Sequence, residues 1–215
     1  MAIPRGLYAI ADTGKLPPAA LLSFAARAIA GGAVMLQYRD KQCTGRQQRL
    51  RRLREAAALA CLCRATGVPF IVNDDVPLAR AVEADGVHLG GEDLPIATAR
   101  AVLGEHSIIG ASCYASLARA RVAVRDGASY VAFGALFPSP TKPGAVRAPA
   151  LLLRAAQRQL TVPVAAIGGI HAGNVARIAA AGADLVAVIS ALTDAQDVQR
   201  SAHSIQSRWS TWSRT

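Results

Sequence analysis

The sequence predicts a single (β/α)8 TIM barrel, and three observations lead to that prediction. The chain has 215 residues, enough for one well-packed domain over residues 1–215. Hydrophobic residues make up 52% of it and aromatic residues only 5%, a balance typical of helices packed on a parallel sheet. Short apolar segments alternate with alanine-rich helical segments throughout the chain. An open, doubly wound sheet is the alternative, weakened because no G-x-G-x-x-G motif follows the first strand.

We predict eight strands, each followed by a polar or glycine-containing turn. They are Leu7–Ala11, Val34–Tyr38, Pro69–Val72, Gly86–Leu89, Ile108–Ala111, Tyr130–Phe133, Val162–Ile167 and Leu185–Ile189. Apolar residues recur three and four positions apart between the strands, as Leu21, Phe24 and Ala28 do in the first gap. The strand core thus covers about residues 7–190. A last apolar stripe over about residues 195–212 predicts a C-terminal helix anchored by Trp209 and Trp212.

The charge balance favours anionic partners. Lys and Arg total 24 against 14 Asp and Glu, which gives a formal net charge of +10. Such a balance suits nucleic acid or phosphorylated metabolites. The densest basic run, Arg46–Arg54, predicts a solvent-exposed helix face, because no aromatic residues alternate with its charges. We therefore expect small phosphorylated substrates as partners, and no nucleic acid.

Composition also predicts the compartment. The apolar runs are far shorter than the ~18 residues of a membrane span, and no apolar signal-peptide stretch follows the N-terminus. The cysteines at 43, 61, 63 and 113 form no C-x-x-C pair and no zinc-like spacing with histidine. We expect a cytoplasmic protein with reduced thiols and no membrane partner. The sequence does not fix the oligomeric state, and a homo-oligomer stays open.

The most informative stretch is a buried strand that ends in Asn73, Asp74 and Asp75. The next strand is followed by Asp93, so Asp74 and Asp93 are expected at neighbouring strand ends. Two such carboxylates can share one hard divalent cation, with water and substrate phosphates completing its shell. The alternative interpretation is that these polar residues only cap the helix that starts near Val76.

Other polar side chains are predicted at the same rim, because functional residues of TIM barrels project from the carboxyl ends of the strands. The second strand ends in Arg39 and Lys41, and the glycine pair after the seventh strand precedes the usual phosphate site of such barrels. His88 lies within a strand and is interpreted as a packed barrel residue. The role of His171, near the phosphate site, stays open.

These motifs resemble the thiamine-phosphate synthase family, whose barrel is shared by the thiazole tautomerases. The resemblance covers nearly the whole chain in order. It lies in 7–12 (LYAIAD), 37–41 (QYRDK), 73–74 (ND), 85–90 (DGVHLG), Asp93, 109–112 (IGAS), 139–142 (SPTK), 166–170 (AIGGI) and 188–190 (VIS). Two departures, Ala11 for a common threonine and Gly91 for a common glutamine, do not fall on residues to which chemistry is assigned.

The resemblance implies a transferase of thiamine biosynthesis. It would join 4-amino-2-methyl-5-(diphosphomethyl)pyrimidine to thiazole phosphate, giving thiamine phosphate and pyrophosphate. The residues implied for the pyrimidine diphosphate are Gln37, Tyr38, Arg39, Asp40, Lys41, Asn73, Ser112 and Lys142. Those implied for the thiazole phosphate are Ser139, Pro140, Thr141, Gly169, Ile189 and Ser190. Asp74 and Asp93 would bind Mg²⁺, and the catalytic residues would be Lys142, Arg39, Lys41 and Ser112.

Two other functions are weighed against the transferase. A thiazole tautomerase is expected by resemblance to carry a histidine just after the fifth strand, where this chain has Ser112, Cys113 and Tyr114. A non-catalytic phosphate- or nucleic-acid-binding barrel is motivated by the charge of +10. The proline-rich loop from Phe137 to Ala145 is further predicted to close over the bound diphosphate.

Overall fold

The computed structural model describes residues 3–41, 45–138 and 147–212. In these residues, eight parallel strands close into one barrel, each pairing with the next along the chain. The strands are β1 (Gly6–Asp12), β2 (Met35–Arg39), β3 (Phe70–Asn73), β4 (Gly86–Leu89), β5 (Ile108–Tyr114), β6 (Tyr130–Phe133), β7 (Val164–Ile167) and β8 (Leu185–Val188). Because β8 pairs with β1, the sheet has no edge. The predicted TIM barrel is confirmed and the open sheet is wrong.

Helices follow the strands and cover the outside of the barrel. They are α1 (Leu21–Ala30), α2 (Arg46–Thr66), α3 (Val76–Ala81), α4 (Ile96–Leu103), α5 (Leu117–Arg125), α6 (Leu151–Gln159), α7 (Val175–Ala180), α8 (Ser190–Thr193) and α9 (Val198–Trp212), with a 3-10 turn at Pro18–Ala20 before α1. None of the helices in the described ranges is long and apolar enough to cross a lipid bilayer.

Two strand boundaries differ from the prediction by more than one residue, each for a local reason. Strand β5 continues to Tyr114, three residues beyond the predicted end, through a register shift after Ser112 that pairs Tyr114 with Phe133. Strand β7 begins at Val164 rather than Val162, since Pro163 has no backbone N–H to donate to a ladder. The β5 extension places two more polar side chains at the carboxyl end of the barrel.

The barrel interior is filled unevenly. The apolar side chains inside it are Tyr8, Ile10, Met35, Ile71, Ile108, Tyr130, Ala132, Ala165, Leu185 and Ala187. Three of these, on β6, β7 and β8, are alanines, whereas the larger side chains come mainly from β1 to β5. Alanines near the carboxyl end leave space that larger residues would occupy, so a cavity opens there.

The C-terminal helix α9 carries one buried tryptophan. Trp209 is buried and its indole N–H donates to the carbonyl oxygen of Ala183 at 3.4 Å. Trp212 is 52% exposed, so burial supports the predicted anchoring role for Trp209, and that of Trp212 stays a prediction. The physical reason for the exposure is that Trp212 lies in the last turn of α9, beyond the buried stripe of Ala202, Ile205 and Trp209.

Candidate active site

A cavity of about 730 Å³ opens at the carboxyl ends of the strands, and every strand contributes to its lining. Of the residues predicted for substrates, it is lined by Gln37, Arg39, Asn73, Ser112, Gly169, Ile189 and Ser190. Its floor is apolar, since alanines from β6, β7 and β8 and Ile10 from β1 face it. The cavity is therefore large enough for a small two-part ligand and carries polar groups mainly at its rim.

Arg39 is held at the rim by a carboxylate from the neighbouring strand. Its Nη1 donates to Oδ2 of Asp12 at 2.5 Å, and Asp12 is only 3% exposed. The other oxygen of Asp12 accepts the backbone N–H of Gly14 at 3.0 Å. Because one oxygen is fixed by the backbone, the carboxylate orients the guanidinium group toward the cavity. The sequence interpretation assigned no chemistry to Asp12. The strand period of two nevertheless places Asp12 on the same side of β1 as the inward-facing Tyr8 and Ile10.

Asp74 and Asp93 form a carboxylate pair beside Lys41. The side chains of the two aspartates are hydrogen bonded to each other, and the Lys41 amino group pairs with Asp74. Burial, and then contact with Asp93, raises the pKa of Asp74. Asp93 is fixed in turn by the backbone N–H of Gly90, which donates to its Oδ2 at 2.6 Å. Asp74 has φ +63°, a left-handed conformation that turns it away from the helix that follows.

The residue that caps helix α3 is Asp75, the next residue after Asp74. Asp75 accepts the backbone N–H of Leu78 at 2.9 Å and is the N-cap of α3. Arg52 of α2 also donates to Asp75, at 2.9 Å. The capping interpretation therefore applies to Asp75, whereas Asp74 faces Asp93 and Lys41.

The pair fits a small hard cation by its donor set, because carboxylate oxygens are the ligands that Mg²⁺ prefers. Two carboxylates that share a hydrogen bond are close enough to contact one ion. Over residues 3–41, 45–138 and 147–212, no group of three or more His, Cys, Asp or Glu side chains is arranged as a metal site. Such an ion would therefore take its remaining ligands from water and substrate.

Polar side chains below the rim form one continuous hydrogen-bonded chain. Gln37 Nε2 donates to the Tyr8 hydroxyl at 2.6 Å, and that hydroxyl lies 3.0 Å from the hydroxyl of Tyr130. The Tyr130 hydroxyl lies 2.9 Å from Nδ1 of His88, and Nε2 of His88 lies 2.9 Å from the hydroxyl of Ser112. The chain thus links two residues predicted to bind the pyrimidine, Gln37 and Ser112, through three residues that were assigned no role in binding.

The opposite rim is made of glycines. Gly168 and Gly169 follow β7 with φ of +101° and +64°, and a Cβ on Gly169 would lie 2.8 Å from the Cβ of Phe137. Asn174 fixes this turn, because its amide donates to the Gly169 carbonyl and its oxygen accepts the His171 N–H, both at 2.9 Å. His171 lines the cavity beside them.

The glycine rim is completed by α8, which starts at Ser190, two residues after the last residue of β8. Turns after strands seven and eight together with a short helix N-terminus are the usual phosphate site of TIM barrels. Neither Asn174 nor α8 was assigned a role from the sequence. The signal that could have found Asn174 is its place five residues after the glycine pair, where an amide side chain can reach back over the turn.

Three predicted substrate residues in the described ranges do not line the cavity: Tyr38, Asp40 and Lys41, the last of which pairs with Asp74. The first two contact α2. The Tyr38 hydroxyl donates to Glu55 of α2 at 2.7 Å, and Asp40 accepts from Arg51 of α2 at 2.5 Å. Neither lines the cavity. The reason for Tyr38 is the strand period of two, which sends it outward when its neighbours Gln37 and Arg39 face inward. The side chains of Tyr38 and Asp40 therefore do not face the cavity, and their assignment to the substrate stays a prediction from the sequence.

Four predicted residues, Ser139, Pro140, Thr141 and Lys142, lie outside the described residues. The same holds for most of the loop predicted to close over the substrate. Their assignments stay predictions from the sequence.

Comparison with known proteins identifies the family. The family model for thiamine monophosphate synthase matches residues 7–192. A thiamine-phosphate synthase from Chromobacterium violaceum is 54% identical over 201 residues, which cover 94% of each chain. One from Thiobacillus denitrificans is 52% identical over 200 residues, covering 93% of this chain and 92% of the relative.

The solved structure of a thiamine phosphate pyrophosphorylase from Pyrococcus furiosus is 34% identical, covers 96% of each chain and superposes with a TM-score of 0.85. The matched region contains all eight strands and both rims of the cavity. The chain therefore belongs to the thiamine monophosphate synthase family.

Proposed function

We propose that the protein is a thiamine-phosphate synthase, a transferase that joins the pyrimidine diphosphate to thiazole phosphate and releases pyrophosphate. The observation that supports this most directly is one cavity with Arg39 and Asn73 on one rim and a glycine turn on the other. The carboxylate pair and Lys41 lie next to the first rim, since Asp74 directly follows Asn73. The first rim suits a diphosphate with its metal ion, and the second suits a monophosphate. The volume of about 730 Å³ accommodates both substrates side by side.

The pyrimidine diphosphate lies against β2, β3 and β5. Gln37, Asn73 and Ser112 supply polar contacts to the ring and to the first phosphate, and Arg39 and Lys41 offset the charge of the diphosphate. Asp12 keeps Arg39 in place for this contact. By the sequence resemblance, Lys142 adds a third cation.

Asp74 and Asp93 hold Mg²⁺ in this proposal. The bound ion supplies charge neutralisation of the leaving diphosphate, which is worth several kcal/mol for a metal clamp of this kind. Lys41, which pairs with Asp74, would be available to the diphosphate once the two aspartates held the ion. Arg39 and Lys41 thus act on the same leaving group from two sides.

The thiazole phosphate lies at the glycine rim. Gly169 allows close approach of the phosphate to the backbone N–H groups, and Ile189 and Ser190 supply the start of α8. By resemblance, Ser139, Pro140 and Thr141 close this site from the loop after β6.

Bond making and breaking need little acid–base chemistry. The lone pair of the thiazole nitrogen forms the new bond to the pyrimidine methylene carbon, and the C–O bond to the diphosphate breaks with its electron pair on the leaving oxygen. Because the thiazole nitrogen carries no proton, no general base is required. The chain's residues act by positioning the two substrates and by stabilising the negative charge that develops on pyrophosphate.

The tautomerase alternative has less support. It is expected to carry a histidine just after the fifth strand, and β5 instead ends in Ser112, Cys113 and Tyr114. The Cys113 side chain is buried outside the cavity and burial raises the pKa of its thiol to about 12, so it is no substitute for a general base. A cytoplasmic location and the absence of nucleic-acid and membrane partners stay predictions from composition.

The test is direct synthesis. The purified protein is mixed with the pyrimidine diphosphate, thiazole phosphate and Mg²⁺, and thiamine phosphate and pyrophosphate are measured together. We expect equal amounts of both products, and an activity loss of at least a hundredfold for Arg39→Ala. Arg158→Ala, on the exposed face of α6, is the matched control and should leave the rate unchanged. No thiamine phosphate from the parent protein would overturn the proposal.

A further inference from the structure

We propose that Tyr8, Tyr130 and His88 are positioning residues. They fix the direction in which hydrogen bonds are donated along the chain of side chains from Gln37 to Ser112. In this direction Ser112 keeps its hydroxyl proton for the substrate, and Gln37 keeps its amide oxygen for the substrate. The inference rests on the proposed function, because it assigns the pyrimidine diphosphate to the two ends of the chain. It goes beyond that function by giving a role to three residues to which no substrate contact is assigned.

The direction follows from counting protons along the chain. Gln37 Nε2 can only donate, so the Tyr8 hydroxyl accepts from it at 2.6 Å. Tyr8 is 1% exposed, and among the residues that the structure describes its own proton has one partner within reach, the Tyr130 hydroxyl at 3.0 Å. Leaving that proton unpaired would cost about 1–3 kcal/mol in a buried site. Tyr8 therefore donates to Tyr130.

The same counting of protons assigns the donor in each remaining hydrogen bond from Tyr130 to Ser112. Tyr130 has accepted from Tyr8, so it donates to Nδ1 of His88 at 2.9 Å. An imidazole that accepts at Nδ1 in its neutral form carries its proton on Nε2. That Nε2–H donates to Ser112 Oγ at 2.9 Å. The Ser112 hydroxyl oxygen therefore accepts a hydrogen bond inside the barrel. Its proton points into the cavity, which Ser112 lines.

Packing holds the members of the chain in place. The rings of His88 and Tyr130 are stacked with centroids 5.6 Å apart, and those of Tyr8 and Tyr130 meet edge to face at 6.0 Å. Gly110 of β5 provides the space for Tyr130, because a Cβ at that position would lie 2.5 Å from a ring carbon of Tyr130. The chain thus crosses the barrel from β2 to β5 with little freedom to rearrange.

The polarity of the chain matches the polarity of the substrate. The aminopyrimidine presents an exocyclic amino group, a donor, and the diphosphate presents acceptors only. A chain with an acceptor left at Gln37 and a donor left at Ser112 complements both ends. Rotating the Gln37 amide by half a turn would reverse every bond, and the Ser112 proton would then be used on His88 rather than on the diphosphate.

The first experiment reads the proton position without any activity measurement. In ¹⁵N-labelled protein, the imidazole nitrogens of His88 are observed by NMR and assigned by their loss in His88→Gln. We expect the neutral form protonated at Nε2 and unprotonated at Nδ1. In Tyr130→Phe the constraint is removed, and the share of the Nδ1-protonated form should rise. A parent protein protonated at Nδ1 would overturn the inference.

The second experiment asks whether Tyr8 acts through Ser112. Tyr8→Phe should lower kcat about tenfold, the effect of one hydrogen bond of about 1.4 kcal/mol, with less than a threefold change in KM. In a Ser112→Ala background the same substitution should change kcat less than twofold, because the end of the chain is gone. Trp209→Phe, which removes a buried hydrogen bond in α9, is the stability control and should lower Tm without changing kcat.

A matched pair at His88 separates the two ring nitrogens. His88→Gln places an amide near the Nε2 position and can still donate to Ser112, whereas His88→Asn reaches only the Nδ1 position. We expect His88→Gln to retain more of kcat than His88→Asn. Equal losses in both variants, or additive losses for Tyr8 and Ser112 in an active parent, would overturn the inference while the proposed function stands. A parent without synthase activity would instead refute the proposed function.

Discussion

Replacing Gly169 by alanine is the sharpest test of the thiazole phosphate site. Gly169 has φ +64°, where an alanine costs about 1–2 kcal/mol more than a glycine. The new Cβ would also lie 2.8 Å from the Cβ of Phe137 and closer still to the Pro138 carbonyl oxygen. An ordinary contact begins at 3.4 Å, so either the turn or the segment with Phe137 and Pro138 must move by about half an ångström or more.

That displacement sets the expected effect on binding. The backbone N–H groups of the turn would move off their hydrogen-bonding distance to the phosphate. A hydrogen bond to a charged group is worth about 1.5–3 kcal/mol, so KM for the thiazole phosphate should rise about tenfold to a hundredfold. KM for the pyrimidine diphosphate should change less than threefold, because its contacts lie on β2, β3 and β5.

The control isolates backbone strain from the steric contact. Gly67, at the C-cap of α2, has φ +69° and no atom within 4 Å of an added Cβ. Gly67→Ala should lower the free energy of unfolding by about 1–2 kcal/mol, through φ alone, with normal kinetics. Initial rates at varied concentrations of each substrate and urea unfolding of both variants complete the assay. Equal rises of both KM values in Gly169→Ala, or a similar rise in Gly67→Ala, would refute the assignment.

Four further predictions concern charge and burial. Asp74→Asn should remove most activity at low Mg²⁺ and recover part of it at high Mg²⁺, because one ligand of the ion is weakened; full activity of the parent in excess chelator would contradict the metal role. Asp12→Asn should lower kcat at least tenfold, since Arg39 loses a charged partner worth about 1.5–3 kcal/mol, and an unchanged rate would show that Arg39 is held by other contacts. Burial raises the pKa of the Cys63 and Cys113 thiols to about 12, so neither should react with a thiol reagent at pH 8 in the native protein. The pKa values of these thiols in the folded protein exceed the ordinary value of 9.0, so the thiols of the unfolded chain ionise first as pH rises. The free energy of unfolding should therefore fall between about pH 9 and pH 12. Urea unfolding over this pH range should show the decline, and a flat profile would contradict it.

The sequence alone was sufficient for the barrel and for the rim of the site. Each strand is a short apolar run that ends in a polar residue or glycine, and parallel strands bring such ends together whatever the details of packing. Asp74 and Asp93 could therefore be paired from their places after β3 and β4. The glycine pair after β7 could be assigned in the same way.

The tertiary structure decided which side of each strand faces the cavity. Alternation along a strand separates Gln37 and Arg39 from Tyr38, but only the closed barrel determines which set lies inside. The sequence interpretation assigned residues from both sides of β2 to the substrate. In the structure, the Tyr38 hydroxyl contacts Glu55 on the outside of the barrel.

Long-range contacts also needed the structure. Tyr8 and Tyr130 are 122 positions apart in the chain and meet inside the barrel at 3.0 Å. No local pattern distinguishes them from ordinary core aromatics, and His88 likewise has the sequence environment of a buried strand residue. What the sequence by itself determined was the order of strands and the chemistry at their ends, because these depend on local periodicity and turn residues. What only the tertiary structure decided was the inward side of each strand and the partners across the barrel, because closure of the sheet sets both.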